Sequence, residues 1–362
     1  MNKDRFFYAD ALFAASNSAE GFKSYYDRVF DRTCLEHLYI IKGGPGTGKS
    51  SFMRDVGEYF EGLGRQVAYY RCSSDPDSLD GVIIDFGVAL IDGTAPHSAE
   101  PEIAGARDDI IELGAFWDSS MLVEKYEEIC ALSQMKNKAY DCAYRYLSAC
   151  GEILRIEKER VSNALKQDKM RASILRILER IGYGDRFSIT PALIDSVGMK
   201  GRVRYDTYER AAELVYEIND SFSSGAFFLI ALIDMAKRYE RRIYVSYDPI
   251  TPEYPNAVLL FDSKIAFVLK DRPRGAAEPE QNVKRVNMER FLDMDILDMQ
   301  KARYKKNKAI ALQLSELACE TFGEVAKYHF ELEGIYRKSM DFSSKERFTL
   351  SFCERLRDAY CK

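Results

Sequence analysis

The sequence predicts an α/β protein made of two copies of one unit, each a parallel sheet with flanking helices followed by a long helical segment. Three observations predict it. A glycine-rich turn, "GGPGTGKS" at 43–50, lies between an apolar β-prone run and an amphipathic helical run. Residues 119 to about 182 contain no proline and carry apolar side chains at helical spacing. Segments of the first half recur in the second in the same order.

The turn comes first. In "HLYIIK" (37–42), Leu38 to Ile41 read as a strand buried on both faces. Gly43, Gly44, Gly46 and Gly48, with Pro45 and Thr47 between them, allow a tight turn whose backbone N–H groups point inward. Together with the N-terminus of the next helix they make an anion cradle. The spacing G-x-x-x-x-G-K-[ST] is that of a phosphate loop (P-loop). It assigns Lys49 to the β- and γ-phosphates of a nucleotide and Ser50 to Mg²⁺. Gly43 to Ser50, with Ser51 after them, form the predicted nucleotide-binding set. Met53, Val56 and Phe60 give the following helix its buried face, and "EGLG" ends it.

A second strand, in "RQVAYYRCSSDP" (65–76), ends in a polar loop. "GVIIDFGVALIDGTAPH" (81–97) then offers two apolar runs, each closed by an aspartate. The aspartate that holds magnesium's water shell ends a buried strand beside the phosphate loop. Asp92 fits, because "DGTAPH" supplies a polar loop where ligands of parallel sheets sit; Asp85 is the rival. Lys49 and Asp92 are the candidate catalytic residues, and Ser50 and Asp92 the candidate metal ligands. Thr94 and His97 are candidate sensors of the γ-phosphate. Residue 93 is glycine, so no glutamate follows Asp92; Asp75 and Glu102 are the candidates left for activating a water.

The helical segment 119–182 has one interior glycine, Gly151, and an apolar series including Ala139, Ala143, Leu147, Cys150, Leu154 and Val161. Two or three helices packed as a hairpin are expected. Lys158, Arg160, Lys166, Lys169 and Arg171 alternate with acids, which reads as a solvated face rather than a nucleic-acid surface.

The second half repeats the first. "QVAYY" (66–70) resembles "RIYVS" (242–246), a shift of 176. The same shift sets "HLYIIK" over "ELVYEI" (213–218) and "GGPGTGKS" over "NDSFSSGA" (219–226) without a gap. "DRFFYADALFAAS" (4–16) has its echo in 185–197, and "KNKAYDCAYRYLSAC" (136–150) in 306–319. Preserved order over the whole half is the mark of duplication. Lys49 then corresponds to Gly225, Ser50 to Ala226, and Asp92 to Leu269 or Lys270. The cradle glycines correspond to Asn219, Asp220, Phe222 and Ser224, so the second copy keeps the fold and loses the phosphate chemistry. The expected units are 1–182, with helices from about 119, and 183–362, with a helical segment from about 286. Arg241, Arg242, Arg272 and Arg274 are candidates for a γ-phosphate contact made by the second unit.

Bulk properties narrow the class. The chain has 362 residues and a net charge of -5, which gives no push toward nucleic acid or an anionic membrane. The longest apolar run, "AFFLIALIDMA" (226–236), carries Asp234 and reads as a buried helix, not a membrane span. The opening "MNKDRFFYADALFAAS" lacks the apolar core of a secretion signal. Eight cysteines without a C-x-x-C pair, and three histidines, argue for reduced thiols and a cytoplasmic location over zinc or disulfides.

Four stretches carry a wider likeness: "FFYADALFAASNSAEGFKSYYD", "LYIIKGGPGTGKSSFMRDV", "RCSSDPDSLDGVIIDFGVALIDGTAPH" and "EIAGARDDIIELGAFWD". On these the chain resembles a family of bacterial tandem P-loop ATP-binding proteins. The resemblance implies ATP bound at Gly43 to Ser50 and Asp92 as the acidic partner of the magnesium. It also departs from the family, whose second copy can carry its own phosphate loop. The expected function is an ATP-binding, Mg²⁺-dependent NTPase with one site, whose nucleotide state moves the two halves. A small-molecule kinase, with "CSSDP" (72–76) facing an acceptor, and a nucleotide-regulated scaffold are the alternatives. A protein partner for the helical segments is a further expectation.

Overall fold

The computed structural model describes residues 6–270 and 282–361. In the first half β1 (Leu12–Phe13), β2 (Ala15–Ser18), β3 (Gly21–Ser24) and α1 (Tyr26–Val29) precede β4 (His37–Lys42) and α2 (Lys49–Gly62). β5 (Val67–Arg71), β6 (Leu79–Ile84), β7 (Val88–Asp92), β8 (Asp108–Glu112), α3 (Ser119–Glu124), α4 (Tyr126–Ser162) and α5 (Gln167–Ile181) follow. The second half repeats that order: β9 (Ser188–Pro191), β10 (Asp195–Gly198), β11 (Gly201–Arg204), α6 (Thr207–Ala211), β12 (Leu214–Asn219) and α7 (Gly225–Arg238). It continues with β13 (Arg242–Tyr247), β14 (Pro255–Leu260), β15 (Ile265–Lys270), β16 (Val283–Asn287), α8 (Met294–Asp298), α9 (Lys301–Lys338) and α10 (Phe342–Tyr360).

Each half builds a six-stranded sheet, ordered β1-β5-β6-β7-β4-β8 and β9-β13-β14-β15-β12-β16. The two orders are the same, element for element, which is what a duplication produces. The expectation of parallel sheets needs correction. β7, β4 and β8 run parallel, as do β1 and β5, but β6 is antiparallel to both its neighbours, and β14 likewise. The cause is connection length. Residues 72–78 and 85–87 are too few for the crossover that parallel neighbours need, so the chain turns back on itself.

The ungapped alignment of the two loops also shifts. Ile41 pairs with Asp92 and Ile218 with Leu269, so β4 matches β12 at an offset of 177, while α2 and α7 start 176 apart. The second loop is one residue shorter. Leu269, not Lys270, stands where Asp92 does.

The two sheets face each other across a shared core that includes Leu12, Phe13, Ile40 and Ala89 from one half and Leu193, Val215, Tyr244 and Val268 from the other. Phe13 and Leu193 exchange backbone hydrogen bonds of 2.8 and 3.2 Å at the join. The outer faces are covered by exchanged helices. Met170, Ile174 and Leu178 of α5 pack with Ile218, Phe228 and Leu232 of the second half. Phe352, Cys353 and Leu356 of α10 pack with Phe52 and Val56 of the first. The repeats meet in sequence at 182/183, and the cores cross that line.

The hairpin expected within 119–182 does not form there. α4, 37 residues and so about 55 Å long, pairs with α9 of the other half. The pair is antiparallel: Arg160 bonds Gln300, Glu157 bonds Asn307, Cys150 bonds the Ala311 carbonyl, and Tyr140 meets Phe322. Ala139, Ala143, Leu147, Ala318 and Phe322 fill the seam. The apolar stripe that predicted a hairpin is therefore spent on the twin helix. Among the described residues, no helix is long and apolar enough to cross a membrane.

Candidate functional site

β4 ends at Lys42 and α2 begins at Lys49, with Gly48 at the helix N-cap in the left-handed region (φ 80°). The turn between them opens toward a cavity of roughly 990 Å³. Lys49 reaches back over the turn: its Nζ donates to the carbonyls of Gly43 (2.9 Å) and Gly44 (3.1 Å) and lies 3.6 Å from Asp92 Oδ2. Thr47 is fully buried and donates to the Gly44 carbonyl, holding the turn closed. Ser50 Oγ lines the cavity and accepts from the Leu79 amide at 3.0 Å.

The strand ends supply the acids. β7 lies directly beside β4, which puts Asp92 level with Ile41 and next to the turn. Its Oδ1 accepts from the Thr94 amide (2.8 Å) and hydroxyl (2.6 Å), which fixes the carboxylate. Burial pushes the Asp92 carboxyl above its ordinary value, opposed by Lys49 and Thr94 and reinforced by Asp80. Asp80 sits across the strand pair, since Gly81 faces Ile91. It is buried and ion-paired with His97, Oδ2 to Nε2 at 3.2 Å. The His97 ring stacks on Tyr26 (4.6 Å) and is met edge-on by Phe22. Burial works to lower the His97 value, but Asp80, with Asp92 behind it, leaves it raised. With Nε2 facing Asp80 in this ion pair, Nδ1 is buried at the cavity with no hydrogen-bond partner among the described residues.

The opposite wall belongs to the helix pair. Lys136, Tyr140 and Tyr144 of α4 and His329 and Glu333 of α9 line it. Tyr144 donates to Asn17 Oδ1 (2.8 Å) and Tyr140 bonds Ser74 (3.2 Å), fastening α4 to the strand ends. The contact with α9 is close. A Cβ added at Gly46, where φ is +72°, would lie 2.7 Å from the Glu333 carbonyl oxygen. From α10, buried Lys345 donates to Ser51 Oγ (3.0 Å) and pairs with Asp55 (3.3 Å). The second half thus forms part of the first half's site.

The equivalent place in the second half is filled. Asp220 Oδ1 accepts from the Gly225 amide (2.6 Å), so a carboxylate of the chain sits at the N-terminus of α7. Phe222, held at φ 58°, packs on Tyr304 (5.0 Å). A Cβ at Gly225, which stands in for Lys49, would lie 2.6 Å from Leu269. No lysine stem could extend there.

The structure brings Gly43 to Ser50, Asp75, Asp92, Thr94 and His97 around one cavity. Ser51 is the third residue of α2, bonded to Gly48 and Lys345. Asp85 is at the far end of the β6–β7 pair, bonded to the Gln66 amide and 3.6 Å from Arg65. Glu102 is exposed and pairs with Arg32 and Arg107, away from the turn. Arg241 donates to the Ile181 carbonyl and Arg242 to Asp262, so neither reaches the site; Arg272 and Arg274 lie outside the described residues. Sequence reasoning missed Asp80, Lys136, His329 and Glu333. Asp80 stood in the quoted "SLDGV", and its alternation with buried Val82 and Ile84 was the available signal. The other three are unremarkable residues of helical segments, visible only once the helices pair.

Among the described residues no cluster of three His, Cys, Asp or Glu side chains is placed to cage a metal. Ser50 and Asp92 fit a magnesium ion that keeps most of its shell as phosphate and water. The half-buried Asp92 carboxylate, 3.6 Å from the Lys49 ammonium, is the feature that fits a further cation. Compared with protein families, curated proteins and solved structures, the chain finds no match in any of the three.

Proposed function

We propose that the chain is a P-loop nucleotide-binding enzyme that takes one Mg·ATP at Gly43 to Ser51 and hydrolyses it at the interface of its two halves. The observation that carries this reading is the facing of Lys49 and half-buried Asp92 across a glycine turn at a helix N-terminus, beside a cavity of about 990 Å³. The loop amides and the start of α2 bind phosphate oxygens. Lys49 leaves the Gly43 and Gly44 carbonyls for the phosphates, and Ser50 and Asp92 hold the magnesium. The ion supplies charge neutralisation at the transferring phosphoryl group. Thr94 keeps Asp92 turned to the cavity. With the proton of His97 on Nε2 toward Asp80, its Nδ1 is an acceptor for the proton of an attacking water. Because α9 and α10 touch the loop, nucleotide state is passed directly to the helix pair and the second half.

A second reading has its own support. The cavity continues past the loop to Asn17, Tyr144 and Met199, and Cys72, Ser74 and Asp75 of the segment after β5 line it. That is room for an acceptor, as a small-molecule kinase needs. Incubation with γ-labelled ATP, with and without a metabolite pool, tests both. Free phosphate supports hydrolysis, a labelled metabolite supports the kinase, and tight binding with neither product identifies a nucleotide-regulated scaffold and overturns both.

A further inference from the structure

The wall opposite the glycine turn holds two basic side chains that the reading above does not use. Lys136 comes from α4 of the first half and His329 from α9 of the second, and both line the cavity that Lys49 lines. Lys136 is half-buried and, among the described residues, has no salt bridge to an acid. Burial lowers its value, and Lys49 across the cavity lowers it further. His329 is held down by burial, with Glu333 3.8 Å away opposing that and Lys136 and Lys49 adding to it. Lys49, Lys136 and His329 thus line one space from three elements, with Lys49 disfavouring charge on Lys136 and both disfavouring charge on His329. Such a convergence is costly in a protein and is relieved by an anion between the groups. The cavity acids offset this only in part: Asp92 is shared by Lys49 and Thr94, Asp80 faces His97, Asp75 bonds Ser78, and Glu333 pairs with His329, which leaves Lys136 without an acid of its own among the described residues.

We propose that Lys136 and His329 bind the terminal phosphate of the nucleotide from the side opposite the loop, so that a triphosphate bridges the two halves and a diphosphate does not. This rests on nucleotide binding at Gly43 to Ser51, and it names the contacts through which the helix pair reads the γ-phosphate. A contact of a cation with a phosphate oxygen is a charge-assisted hydrogen bond, among the stronger kinds. It is made only when the third phosphate is present. The geometry requires no rebuilding of the fold, because α9 already touches the turn at Gly46 and Glu333.

The test is calorimetric titration of the full chain with Mg·ADP and with a non-hydrolysable Mg·ATP analogue. We expect the wild type to prefer the triphosphate. Lys136→Met and His329→Gln should each weaken analogue binding by about tenfold and leave ADP binding within about twofold. Lys136→Arg, which keeps the charge, should retain the preference. Lys49→Ala should weaken both ligands, which marks the loop as the shared part of the site. Unaltered melting curves of the ligand-free variants separate lost contact from lost fold. Equal loss for both ligands, or no loss for either, in the Lys136 and His329 variants would overturn this inference and leave the loop assignment standing. If neither ligand binds the wild type, the loop assignment itself fails, and this inference with it.

Discussion

Gly46 is where the assembly of the site across the two halves can be measured. Replacing it with alanine does two things. The backbone there has φ +72°, and the added methyl would meet the Glu333 carbonyl oxygen at 2.7 Å and its Cα at 3.2 Å. The first effect costs about 1–2 kcal/mol for a residue with a Cβ. The second sets a methyl against helix backbone, which cannot swing away as a side chain can, and such overpacking costs about 1–3 kcal/mol. Gly64 provides the control. Its φ is +75° and nothing lies within 4 Å of an added Cβ, so Gly64→Ala carries the conformational cost alone. Urea unfolding of the two variants, at unchanged m-value, should place Gly46→Ala below Gly64→Ala by about 1–3 kcal/mol. In the same variant, nucleotide affinity should fall, because the loop and α9 are forced apart. Equal stability of the two variants would falsify the close contact between the turn and α9, and with it the claim that the second half completes the site.

Four further outcomes are expected. Lys49→Ala should cut ATP turnover by about a hundredfold or more while the protein stays folded, since Lys49 bonds only loop carbonyls and Asp92; retained turnover in folded protein would remove its catalytic role. Asp92→Asn should raise the Mg²⁺ needed for turnover far more than Asp85→Asn, and it should also stabilise the ligand-free protein at neutral pH. The sign follows from a carboxyl whose folded value is raised: its ionisation is penalised above that value, and the penalty vanishes as pH falls through it. A lower melting temperature for Asp92→Asn at pH 7 would contradict this. His97 has a folded value raised above 6.5, so the stability it gains from Asp80 is full below 6.5 and is lost as pH rises through the folded value; the gap in melting temperature between wild type and His97→Asn should close in that direction, and a gap that widens would refute the pairing. Calorimetry with the ATP analogue should give one nucleotide per chain, and a second binding event surviving Lys49→Ala would show that the second loop still binds.

Much of this architecture was legible in the sequence because the signals are local. The run "HLYIIK", the glycines after it and the amphipathic start of α2 fix strand, turn and helix within one stretch of chain, and the repeat in the second half transfers that reading. The antiparallel β6 and β14 were missed because apolar runs buried on both faces look alike whichever way they point. Direction was encoded in the short connection at 85–87, which cannot carry a crossover. The pairing of α4 with α9 was missed for a different reason. An apolar stripe specifies that a helix has a partner, but not which one. Ala139, Ala143 and Leu147 could equally have met α5 as Ala318 and Phe322. With that pairing unseen, Lys136, His329 and Glu333 had no place at the site, and the arginine search went to Arg241 and Arg242, which close off local structure instead.

Where the first half has its turn residues, the second half carries a replacement, group by group. If the turn at 43–48 receives a phosphate as proposed, the counterpart of that phosphate is Asp220, whose carboxylate already bonds the Gly225 amide at the start of α7. A helix N-terminus with its own internal anion has no vacancy for another. The lysine position is Gly225, crowded by Leu269, which itself stands where Asp92 stands in the first half. Asp80 has become Asn256, which donates to Asp195. Arg202 joins Asp195 and Asp248 there, so these charged groups bond to one another. Phe222 turns onto Tyr304 and the apolar cluster beside Leu297. On the proposed reading, each change removes a group that would bind nucleotide and puts a contact of the chain in its place. Yet α9 and α10, the helices this half contributes, lie against the turn at 43–48 and the start of α2 through Glu333 and Lys345. If the first half binds nucleotide as proposed, a half that has exchanged helices with its twin cannot be discarded, because that site is assembled on its helices.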